Sequence, residues 1–192
     1  MTTRTKRTFL LFEILLILGL LFYFRGHLLA LFNPENGRLV DHPAPELAVS
    51  SWINSQPLRL ENLRGRVVLL DFWTYTCAPC RKTIPALNEW HRTYPDLVII
   101  GIHSPETEEE SVLANVKREV SALGITYPVA ADNDFLSWNA FRAQLWPTMY
   151  LIDTAGMIRD IHRGSIGLRE VEKMVRELLL ESKPPDNSLL PR

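Results

Sequence analysis

A chain of 192 residues is long enough to bury one full core and to carry appendages. Its 21 Lys and Arg nearly cancel its 22 Asp and Glu, for a net charge of −1, and no basic stripe follows the first seven residues, so nucleic acid is not an expected partner. Two cysteines make neither a disulfide scaffold nor a zinc ribbon, and no histidine pair stands near them at ligand spacing, so no metal and no cofactor is expected.

The N-terminus reads as a membrane address. Arg4, Lys6 and Arg7 precede an apolar run from Phe9 to Phe24, broken in polarity only by Glu13, and Leu28 to Phe32 form a second apolar patch. Sixteen helical residues cover about 24 Å of a hydrocarbon core of about 30 Å, and Arg25 and His27 can snorkel at the far interface. The basic cluster predicts a cytoplasmic N-terminus and an external C-terminal domain. A cleaved signal peptide shares that basic start, but bulky Leu28, Leu29, Leu31 and Phe32 stand where a small-residue cleavage site would lie, which favours an anchor over residues 1–32. Residues 33–50, with Pro34, Gly37, Pro43 and Pro45, read as an extended extracytoplasmic linker.

The globular part is expected over residues 51–181. Trp52 to Asn54 and Pro57 to Leu60 suggest a two-stranded ribbon, followed by a helical turn ending at Gly65. Val67 to Trp73 is a continuous apolar run of the kind found in central parallel strands, interrupted by Asp71. A carboxyl there is desolvated and its pKa raised, making Asp71 a candidate proton acceptor for a buried thiol.

Cys77-Ala78-Pro79-Cys80 follows at once, opening a segment with helical spacing to about Thr93. A helix N-terminus favours thiolate over thiol, and thiol–disulfide exchange needs a second sulfur within reach to release the mixed disulfide. Cys77 is therefore assigned as nucleophile at the exposed tip and Cys80 as resolving thiol one turn further in. Pro79 suits the first turn, Ala78 leaves the tip uncrowded, and Pro85 predicts a kink. Arg81 and Lys82 are either solvated or favour the thiolate.

Leu97 to His103 reads as a second buried strand, and residues 106–123 as one helix with an acidic start. Tyr127 to Ala131 is a short strand, and Asp132 begins a helix through about Phe141. Pro147 entering the strand Met149 to Asp153 is a contradiction that a cis Trp146–Pro147 bond in a tight turn resolves. A return strand over 157–163, a helix over 168–180 and a disordered tail over 182–192 complete the chain.

The run from Val67 to Cys80, with Trp146-Pro147-Thr148 much later, resembles the thioredoxin-like superfamily and within it the membrane-anchored TlpA/ResA/DipZ-type proteins. Thr74-Tyr75-Thr76-Cys77, Gly101 to Glu106 and Asp132-Asn133-Asp134 resemble the DipZ-like branch. The resemblance implies an α/β/α sandwich on a central mixed sheet with an inserted helix and strand. It also implies a buried aspartate at Asp71, and a cis proline at Pro147 that lies against the cysteines, so that Trp146, Pro147, Ala78 and Pro79 border the substrate groove.

It further implies client proteins with thiols or disulfides, a membrane thiol protein as electron donor or acceptor, and a reductive role in cytochrome c maturation or an oxidative role toward clients. Two other readings remain open. Thr74 three residues before Cys77 is also the peroxiredoxin pattern, although Leu70 stands where that family has proline. Two cysteines with His103 or His162 could instead handle copper.

Overall fold

The computed structural model describes residues 39–182. The whole expected anchor over residues 1–32, the first six residues of the expected linker and the tail from 183 onward lie outside them. Among the described residues no helix is long and apolar enough to cross a membrane.

Six strands form one sheet: β1 (Ser51–Ile53), β2 (Val67–Trp73), β3 (Leu97–His103), β4 (Val129–Ala131), β5 (Thr148–Ile152) and β6 (Ile158–Arg163), in the spatial order β1-β4-β3-β2-β5-β6. β2, β3 and β4 run parallel, while β1, β5 and β6 each pair antiparallel with their neighbour, so the sheet is mixed as expected. Its centre is β2, and all seven of its residues are buried. Alternation along β2 sends Val67, Leu69 and Trp73 to one face and Val68, Leu70 and Phe72 to the other, which creates two cores.

The first core is covered by α1 (Ala78–Thr93), α3 (Leu113–Ala122) and α5 (Leu168–Glu181) through Leu87, Trp90, Val116, Val120, Val171 and Val175. The second is covered by α4 (Leu136–Ala140), by a 3₁₀ turn over Leu60–Leu63 and by chain on the N-terminal side of β1. α1 continues through Pro85 without interruption. A single acidic-start helix over 106–123 is not what forms. Val112 adopts an extended conformation (φ −75°, ψ 107°) and splits the segment into α2 (Glu108–Ser111) and α3.

The N-terminal ribbon is replaced by a different pairing. β1 pairs with β4, the strand of the insertion, and so closes the sheet edge. Asn54 takes a left-handed conformation (φ 64°) that ends β1, and its Nδ2 donates to the carbonyls of Ile125 and Tyr127. Pro57 has no N–H to offer a partner strand. Instead the Glu46 carboxylate accepts from the N–H groups of Leu60 (2.7 Å) and Glu61 (3.1 Å), starting the 3₁₀ turn.

From Leu39 onward, the stretch expected as linker is bound along the domain. Asp41 N–H donates to Ile158 O, Ile158 N–H to His42 O and Ala44 N–H to Gly156 O, all at 2.7–2.9 Å, while Leu39, Leu47 and Val49 pack on the second core. The apolar side chains interleaved with its prolines give it a surface to bury, which a solvated spacer lacks.

Candidate functional site

Five chain segments meet at one edge of the sheet. The parallel strands β2, β3 and β4 end there at Trp73, His103 and Ala131, and the antiparallel register brings Thr148 of β5 and Arg163 of β6 to the same edge. The turn from β2 into α1 carries Cys77 and Cys80, which form a disulfide with 5.3 Å between their Cα atoms. Cys77 is the N-cap of α1 and its Sγ accepts from the Cys80 N–H at 3.2 Å. The helix terminus thus points an otherwise orphan donor at this sulfur.

Cys77 is half-buried, Ala78 and Pro79 are exposed, and Cys80 is wholly buried in the first core. That asymmetry leaves Cys77 the more accessible residue of the pair and keeps Cys80 inside. Arg81 and Lys82 are exposed beside them. Thr83 Oγ1 donates to Cys80 O at 2.7 Å and steadies the turn.

Asp71 alternates with Leu69 and Trp73 onto the face that holds Cys80. Neither carboxylate oxygen has a hydrogen-bond partner, and burial pushes its pKa up to about 7. Tyr127, whose hydroxyl is also unpartnered, feels the same group: burial first and the nearby Asp71 charge second push its phenol well up. A carboxyl titrating near neutrality has the pKa that proton exchange with a thiol calls for, and Asp71 shares its sheet face with Cys80.

The Trp146–Pro147 bond is cis. Pro147 is buried, and its carbonyl accepts from Gly164 N–H at 2.8 Å. The half-buried indole of Trp146 packs against the cysteine-bearing core and tilts over Trp138, with ring centroids 4.5 Å apart. The structure therefore gathers the cysteine pair and the Trp146–Pro147 turn at one sheet edge, and sets Asp71 on the Cys80 face of β2.

Two further buried residues stand at this edge: His103, which the sequence offered as a copper ligand, and Glu110, which it did not single out. His103 is fully buried, its ring edge-on to Trp73 and its Nε2 3.4 Å from Thr74 Oγ1. Burial drives its pKa down to about 4, against a smaller opposing pull from Glu110, so the ring is neutral at physiological pH. Glu110 is fully buried although it lies on a four-residue helix. Its Oε1 accepts from the Thr76 N–H (3.2 Å) and hydroxyl (2.5 Å), and its Oε2 from the N–H groups of Glu106 (2.5 Å) and Thr107 (3.3 Å).

Burial alone would raise that carboxyl, but the hydroxyls of Thr76 and Thr74 and the main-chain donors outweigh it and hold it below the usual range. The capping box Thr107-x-x-Glu110 is readable in the sequence, whereas its reach to Thr76 is not. Among the described residues no cluster of three or more His, Cys, Asp or Glu side chains is placed to hold a metal.

A mixed sheet with a Cys-x-x-Cys disulfide at the start of a helix and a cis proline at the same edge defines a thioredoxin-like protein. The chain belongs to the AhpC/TSA family, whose model matches residues 40–161. The protein DipZ of Mycobacterium bovis is 42% identical over 147 residues, covering 73% of this chain and 21% of DipZ. The chain thus spans about one fifth of the length of that relative.

The thiol-disulfide oxidoreductase YkuV of Bacillus subtilis is 29% identical over 143 residues, covering 73% of this chain and 97% of YkuV. Among solved structures, a thioredoxin-like protein in its oxidized form superposes with a TM-score of 0.67 at 29% identity, covering 73% of this chain and 97% of that one.

Proposed function

We propose that this chain is a membrane-anchored thiol–disulfide oxidoreductase whose domain lies outside the cytoplasm and exchanges disulfides with client proteins through Cys77 and Cys80. The observation that carries the exchange is the Cys77–Cys80 disulfide at a helix N-terminus, with Cys77 half-buried and Cys80 fully buried. In the reductive direction the Cys77 thiolate attacks a client disulfide, forming a mixed disulfide and expelling one client thiolate. Cys80, its proton passed to Asp71, then attacks Cys77 Sγ, closes the Cys77–Cys80 disulfide and expels the second client thiolate. Two electrons have moved to the client.

Exposed Val112, Leu136, Leu145 and Ile166, on segments flanking the same sheet edge, offer apolar surface to a polypeptide client, and the Trp146–Pro147 turn offers main chain for strand-like pairing. The anchor and the external location rest on the basic cluster before Phe9 and the apolar run to Phe24. A membrane thiol protein as electron donor and a role in cytochrome c maturation rest on the resemblance to TlpA-like proteins. The test is disulfide reduction of a protein client by the purified full chain in detergent, with topology reporters fused at either end; no turnover, or a cytosolic C-terminus, sinks the proposal.

The AhpC/TSA match and Thr74 three residues before Cys77 favour peroxide reduction as the second reading. Thr74 is, however, buried and engaged toward His103 and Glu110. Peroxide turnover that outpaces client reduction would make this second reading the primary one.

A further inference from the structure

Thr76, the residue immediately before Cys77, is held at two of its atoms by a single oxygen of Glu110, a residue 34 positions away. The second oxygen of Glu110 gathers the turn over Glu106 and Thr107. A capping box alone needs only that second oxygen. Burial of the side chain, and the commitment of its other oxygen to the cysteine loop, exceed what a four-residue helix requires. We propose that Glu110 is a positioning residue of the cysteine pair: its carboxylate clamps the loop at Thr76, and its charge disfavours the Cys77 thiolate, making the couple more reducing than the helix terminus alone would.

The clamp orients the loop because Thr76 cannot move without stretching two hydrogen bonds to a buried group. The charge acts because a carboxylate satisfied by dipolar donors keeps its field in a low-dielectric surrounding. Its neighbours register that field: Glu110 opposes the loss of a proton at Tyr75 and at His103, which lie next to it on the loop and on β3. Glu109 and Glu119 from α2 and α3 act on the Tyr75 phenol in the same sense and Arg118 in the opposite one, while Arg81 and Lys82 are exposed on α1. The helix N-terminus lowers the pKa of Cys77 and Glu110 raises it, so the balance between them sets how readily the pair gives up electrons.

This rests on thiol–disulfide exchange at Cys77 and Cys80, and the test separates the two. The full chain in detergent is equilibrated with reduced and oxidised glutathione, and the Cys77 thiol is titrated by its thiolate absorbance. Glu110→Gln keeps one carbonyl acceptor and removes the charge; the constant shifts about tenfold toward the dithiol, about 30 mV in potential, and Cys77 titrates at lower pH. Thr76→Val leaves the charge but withdraws its hydroxyl donor, and the constant moves about twofold in the opposite direction.

A purely structural role would lower the melting temperature without moving either readout. A folded Glu110→Gln variant with constant and titration matching the wild type overturns the proposal. If that variant does not fold, Thr76→Val decides alone, and a constant equal to the wild type or displaced toward the dithiol overturns it. A wild-type pair that does not exchange with glutathione at all refutes instead the oxidoreductase reading.

Discussion

The imidazole of His103 stacks on the phenol of Tyr75, with ring centroids 5.5 Å apart and planes 19° from parallel. Tyr75 lies two residues before Cys77, so the end of β3 supports the cysteine loop through this aromatic contact, beside the bonds that Glu110 of α2 accepts from Thr76. Because burial depresses the His103 pKa to about 4, the unfolded chain binds a proton at this residue between about pH 6.5 and 4 that the folded chain refuses. The stability that His103 contributes is therefore present above that window and lost as pH falls through it. His103→Phe keeps a ring in the stack and is expected to abolish this acid-side loss, whereas His103→Ala costs on the order of 2–4 kcal/mol at neutral pH by leaving a cavity. Urea unfolding of both variants between pH 4 and pH 8 checks the pair of outcomes.

Asp71 has the opposite sign. Its folded pKa, raised to about 7, lies above its unfolded value, so its contribution is fully present below about pH 4 and is lost as pH rises through 7. A displacement of that size corresponds to roughly 4 kcal/mol of stability withheld at alkaline pH. Asp71→Asn is expected to stabilise the oxidised chain at pH 8 and to change it little at pH 4. If Asp71 also serves the buried thiol, the variant slows release of the mixed disulfide and removes the inflection near pH 7 from its rate profile. Stopped-flow release kinetics across pH 5–9 tests this second effect, and an unaltered inflection assigns Asp71 a structural role only.

The unequal exposure of the two sulfurs predicts unequal behaviour of their variants. Cys77→Ser is expected to abolish exchange, since the remaining thiol is buried. Cys80→Ser should accumulate a mixed disulfide with client, because nothing is left to release it. Non-reducing gels after alkylation read the outcome, and equal trapping by both variants would refute the assigned roles.

Trp146 is supported from below by Trp138, whose ring meets it at 37°. Trp146→Ala is expected to raise KM for a protein client about three- to tenfold while leaving exchange with glutathione near wild type, because a small thiol does not span the groove. Trp138→Ala should show a weaker form of the same split, since it removes the support and not the contact. Parallel steady-state assays with the two substrates distinguish this from a general loss of activity.

Much of the site was legible because it is local. The cysteine spacing, the buried run from Val67 to Trp73, the desolvated Asp71 and the cis bond at Pro147 each follow from a few adjacent residues and their steric or dielectric demands. The helices expected over 77–93 and 168–180 have periodic apolar faces and the strand expected over 97–103 is a continuous apolar run, and all three form within a residue of those limits. The single helix over 106–123 did not form, since periodicity at Val112, Val116 and Val120 cannot register a backbone break at Val112 itself.

What the amino-acid order determined by itself, then, is the chemistry: a thiol pair at a helix start, an acid in the strand leading to it, and a proline at the entry to a later strand. Only the tertiary structure decided which distant groups complete that chemistry. β1 takes β4 instead of a hairpin partner, the segment from Leu39 lies along the second core, and Glu110 reaches across 34 residues to Thr76. Such contacts form when the sheet brings five segments to one edge. Their energy comes from excluding water around groups that, read in order along the chain, look like solvated turns.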